Sequence, residues 1–126
     1  MTAAAVELEL RLDHGQSSFE PGARVSGVVG WAARAGAPPT RLELDLSWTA
    51  QSAGGRDLKI VETVKFGDPQ AQERRPFIFA LPEAPYTFQG ALISLSWALE
   101  LTAHPGQEKV RLELTIAPER RAIDLR

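Results

Sequence analysis

The sequence predicts an all-β protein, an antiparallel sandwich of about seven strands. Two observations carry that expectation. Apolar residues recur at every second position through much of the chain, and clusters rich in Gly and Pro separate the alternating runs. A third observation agrees with them: no window keeps a helical period, although "DPQAQER" is compatible with a single turn.

The elements follow in order. "VELELRL" places Val6, Leu8, Leu10 and Leu12 on one face and Glu7, Glu9 and Arg11 on the other. A weaker run follows at Arg24–Trp31. "RLELDLSWT" turns Leu42, Leu44, Leu46 and Trp48 inward, against Arg41, Glu43, Asp45 and Ser47. Weaker strands are expected at Leu58–Phe66 and Arg75–Leu81. The long run Ala91–Thr102 aligns Ile93, Leu95, Trp97, Leu99 and Leu101, and Val110–Ile116 repeats the device. Turn signals lie between most of them: "EPGA", "ARAGAPP", "SAGGRD", "FGDPQAQ", "PEAP" and "HPGQ". Strands with one dry and one wet face belong in an antiparallel sheet.

At 126 residues, one domain over residues 1–126 is expected, since domains typically hold ~100–150. The charged tail "PERRAIDLR", about 118–126, is expected to fray or dock. There is no cysteine, which excludes disulfides and thiolate metal sites. A net charge of −2, with acids and bases interleaved, argues against a nucleic-acid partner. "MTAAAVELELRL" has no basic leader and reads as a first strand. No run approaches the ~20 apolar residues of a membrane helix. The expectation is a cytoplasmic protein with no membrane span.

"PFIFALPEAPYTFQGALISLSWALELTA" (Pro76–Ala103) runs apolar residues together, halts, then resumes in alternation. Pro82 and Pro85 donate no ladder hydrogen bond, and Gly90 tolerates backbone angles closed to other residues. The chain is expected to cross here between sheets, with Phe77, Phe79, Tyr86 and Phe88 plugging the end of the core.

The same residues resemble the arrestin-like family. Its pattern is an apolar-aromatic strand, Leu-Pro, Pro-Tyr-Ser/Thr-aromatic, a glycine, then an alternating strand containing Trp. Pro82, Pro85, Tyr86, Thr87, Phe88, Gly90 and Trp97 fall in place. Upstream, "FEPGARVSGVV" (Phe19–Val29) is similar to the family's early segment, and "LELDLSWTAQSAGGRDLKIVE" to its third and fourth strands. The similarity spans nearly the whole chain. It implies an immunoglobulin-like, arrestin-type sandwich used as a scaffold or adaptor, close to single-domain prokaryotic members. Arrestins and related trafficking proteins carry two such sandwiches in tandem. This sequence has room for one, so residues of the inter-domain polar core do not transfer.

Catalytic readings fail on inventory. His14 and His104 both occupy strand-end turns, and no Asp/Glu cluster joins them at metal-ligand spacing. There is no G-x-S-x-G elbow. Glu7/Glu9 and Glu43/Asp45 are explained as the wet sides of strands. No catalytic residue, cofactor or metal is expected. Trp48 and Trp97 share parity with core leucines, whereas Trp31 either caps the core or sits exposed at a partner surface.

The candidate partner-binding residues are therefore Arg74 and Arg75, in the "QAQERRP" loop, together with Trp31. The outward set of Ala91–Thr102, with one charge, either receives another chain or marks a central strand beneath long neighbouring side chains. The expected function is a non-catalytic adaptor, scaffold or regulatory module. It would bind a protein partner through an edge strand or end loops. A carbohydrate- or small-ligand-binding sandwich and a self-assembling homo-oligomer are the alternatives.

Overall fold

The structure, a computed structural model, describes residues 5–34 and 38–125. Expectations that fall on residues 1–4, on the centre of the "ARAGAPP" turn and on Arg126 lie outside the described residues.

The strands are β1 (Val6–Leu12), β2 (Ser18–Phe19), β3 (Arg24–Ala33), β4 (Arg41–Ser52), β5 (Gly55–Phe66), β6 (Gln72–Ala80), β7 (Phe88–Gln89), β8 (Ile93–His104), β9 (Glu108–Ile116) and β10 (Ile123–Asp124). The long ones match the predicted runs, and β2, β7 and β10 are short additions. Two single-turn 3₁₀ segments, Asp13–Gly15 and Pro118–Arg120, are the helical content among the described residues.

One sheet has the order β1-β3-β6. In the other, β5, β4, β8 and β9 lie side by side, β2 pairs with β9, and β7 pairs with the start of β8. The long pairs are all antiparallel, while β2–β9 and β7–β10 are parallel. Alternation decides which faces meet. Val25, Val29, Trp31, Phe77 and Phe79 come from the first sheet, and Leu42, Leu44, Leu46, Trp97, Leu99 and Leu101 from the second, and all are buried in one cluster. Each such side chain contributes about 1.5–3 kcal/mol by leaving water.

The proline-rich stretch is the crossing that the sequence predicts. β6 belongs to the first sheet and β8 to the second. Between them, the Leu81 amide donates to the Ala23 carbonyl at 2.8 Å. The Thr87 amide donates to the Ile116 carbonyl at 2.7 Å, and the Thr87 hydroxyl accepts from the Ile116 amide at 2.9 Å. Phe77 and Phe79 are buried and Phe88 packs partly against the core. Tyr86 departs from the expectation: it is exposed, because the corner turns it outward.

Gly90 also needs its expected role corrected. Positive φ occurs at Gly15, Gly22 and Gly55, not at Gly90. A Cβ on Gly90 would instead stand 2.5 Å from the Ile93 carbonyl oxygen, so close backbone approach selects the glycine. The tail docks. Ile123 donates to the Thr87 carbonyl at 3.1 Å and Leu125 to that of Gln89 at 2.7 Å.

Candidate functional site

β8 is flanked by β4 on one side and β9 on the other, so it is a central strand and offers no edge there. Its small outward residues fit that position. Ala98 is buried, as are its outward neighbours Ser47 and Thr49 on β4. In this sheet an open edge lies two strands away.

β5 closes the larger sheet. It pairs with β4 from Ser52↔Gly55 to Leu42↔Phe66, and no described strand pairs with its other side. Its twelve residues therefore present unpaired backbone groups along one flank. The two halves of β5 differ because of a bulge. Pairing steps from Leu46↔Glu62 to Ser47↔Ile60, leaving Val61 as the extra residue. After the bulge, Val64 and Phe66 reach the core. Before it, every residue is exposed.

That exposed half is not uniformly polar. Leu58 is 56% exposed, Ile60 51% and Val61 40%. Leu58 stands opposite Thr49, and Ile60 opposite Ser47; the next strand continues the row with Ser96 and Ala98. The outer surface here is a row of apolar and small side chains, with exposed Arg56 next to Leu58 on the same face and Asp45 and Glu113 flanking the row. The other face of the projecting half carries charge: Asp57 opposite Ala50 and Lys59 opposite Trp48. Sequence reading found β5 only as a weak strand, since the extra Val61 breaks its alternation. The run "LKIV" was the signal available.

The three residues singled out from sequence do not form one site. Trp31 is 3% exposed; its indole N–H donates to the Gln70 carbonyl at 2.8 Å, and its ring tilts against Phe66. Of its two readings, the core holds. Arg74 and Arg75 are strand residues of β6 rather than loop residues, and alternation sends them to opposite faces. Arg75 lies 5.5 Å from the Trp31 ring and donates to the Gly67 carbonyl at 2.7 Å, the Asp68 carbonyl at 3.2 Å and Glu73 Oε1 at 3.1 Å. It ties the β5–β6 loop to the sandwich. The hydrogen bond from Arg75 holds the Glu73 carboxyl below its ordinary pKa, and Glu73 in turn raises that of Arg75. Arg74 is 70% exposed on the outer face of the smaller sheet, 3.5 Å from Glu9.

His14 sits exposed in a turn, and His104 Nε2 is 3.9 Å from Glu43. Among the described residues, no group of three or more His, Asp or Glu side chains is placed to hold a metal ion. No described helix is long and apolar enough to cross a membrane.

Comparison with solved structures decides the fold. Spo0M, a sporulation control protein from Bacillus subtilis, superposes with a TM-score of 0.67 over 91% of this chain, at 16% identity. The fold is arrestin-like. This chain spans 50% of the Spo0M chain, so the likeness concerns about half of that protein. The Pseudomonas fluorescens alkylpurine DNA glycosylase AlkC, bound to DNA containing an abasic site analog, matches at a TM-score of 0.43 and 13% identity, over 90% of this chain and 31% of its own. That match supports nothing further. No family model and no curated protein matches the sequence.

Proposed function

We propose that this arrestin-like sandwich is a non-catalytic protein-interaction module, an adaptor or scaffold, that receives a protein partner along β5. One observation carries the reading: a long sheet edge, unpaired among the described residues, that displays Leu58, Ile60 and Val61 to solvent. An extended segment laid there satisfies the backbone groups, and alternate side chains meet the row at Leu58 and Ile60. The carbohydrate reading loses its support, because Trp31 and Trp97 are buried and Trp48 packs against the core.

The experiment is photo-crosslinking in the native cell from a benzoylphenylalanine placed at position 58 or 60, with His14 as a control position. Adducts with a defined protein from β5, absent from position 14, support the module. A chain that crosslinks to no protein from β5, while remaining folded, overturns it.

A further inference from the structure

We infer that the occupant of the β5 edge is a second copy of this chain, paired antiparallel about a two-fold axis at Leu58. This deepens the reading of β5 as a binding edge and rests on it.

The inference comes from charge and register. In a two-fold antiparallel pair, a residue at distance n before the axis lies opposite the partner's residue at distance n after it, on the same face. With the axis at Leu58, Asp57 meets the partner's Lys59 and Lys59 meets the partner's Asp57. Both lie on the charged face of the projecting half, opposite Ala50 and Trp48. The opposite face brings the two Leu58 side chains together, with Ile60 beside the partner's Arg56. An axis at Lys59 would instead set two ammonium groups against each other. Opposite charges directly across a pair stabilise it and like charges oppose it. The sequence "DLK" is therefore its own complement in one register.

Position in the strand agrees. Arg56–Ile60 precedes the bulge, so its alternation is regular and both faces stay in phase across the pair. Lysine on an edge ordinarily deters self-pairing. Here Asp57, two residues away, supplies each Lys59 with a carboxylate from the other copy and reverses that effect. Asp57 and Lys59 are exposed and in none of the ion pairs found among the described residues.

The test is sedimentation velocity and light scattering of the purified chain over a concentration series, at low and high salt. Wild type is expected to rise reversibly from 13.7 kDa toward twice that mass, less readily at high salt. Asp57→Lys alone, or Lys59→Asp alone, places like charges opposite each other twice and should raise the dimer dissociation constant about tenfold or more. The double exchange, Asp57→Lys with Lys59→Asp, restores complementarity and should recover wild-type dimerisation. Thermal melts confirm that all three variants fold. A chain that stays monomeric to about 1 mM, a weak affinity by any standard, overturns the second copy. So does a dimer indifferent to the single reversals, or a double exchange no better than the singles. A monomer that still gives β5-specific crosslinks to another protein removes only this inference. A monomer without them removes the interaction reading as well.

Discussion

The indole nitrogen of Trp97 donates a hydrogen bond to the carbonyl oxygen of Pro85 at 3.0 Å. Trp97 lies in β8 and is fully buried, so this bond pins the corner to the strand that the corner introduces. Two substitutions separate its parts. Trp97→Phe keeps most of the ring but strands the Pro85 carbonyl, with an expected loss of about 1–3 kcal/mol. Trp97→Ala adds a cavity, and about 3–5 kcal/mol is expected. Chemical denaturation checks both, and a Trp97→Phe midpoint equal to that of wild type would show that the hydrogen bond matters little beside the ring.

Gly90 makes a second test of the same corner. Its Cβ position faces a backbone oxygen, not a mobile side-chain end, so relief requires the chain itself to shift. Gly90→Ala is expected to destabilise by about 1–3 kcal/mol, as overpacking does. Gln89→Ala, exposed next door, should stay within about 0.5 kcal/mol. Comparable midpoints for the two would mean that the close approach relaxes freely.

The clamp between Glu73 and Arg75 predicts a pH dependence with a definite sign. Its hydrogen bond lowers the Glu73 carboxyl pKa, so the folded state holds that proton less tightly than the unfolded chain. The contribution is complete above the unfolded glutamate value and is lost as pH falls through the lower folded value. Urea midpoints of wild type and Glu73→Gln, compared from about pH 6 to about pH 3, should differ most at the upper end and converge in acid. A constant gap would show that charge at Glu73 is not what matters.

Much of the fold was legible because alternation is a local signal. "VELELRL" and "RLELDLSWT" announce their buried faces with no knowledge of partners, and both lie where parity puts them. The site was less legible. Trp31 shares parity with Val25 and Val29, which are buried with it, so the period held its answer despite its place at the strand end. Arg74 and Arg75 looked like a pair because they are adjacent in sequence, yet a strand sends neighbours apart. Register hides β5 most. The extra Val61 shifts the phase midway, and only pairing with β4 reveals where the shift falls.

That phase shift supplies the last prediction. Before the bulge, apolar side chains on β5 face water, so their removal should cost the fold little. Leu58→Ser and Ile60→Ser are expected to change stability by no more than about 0.5 kcal/mol. Leu44→Ala on the neighbouring strand, with its side chain fully buried, should cost about 2–5 kcal/mol. The same surface variants should weaken association along the β5 edge, because they remove the apolar contact that a paired strand would cover. Midpoints from denaturation, set beside the concentration dependence of mass, separate the two effects. If Ile60→Ser unfolds the protein as readily as Leu44→Ala, then Ile60 belongs to the core and β5 is not a free edge.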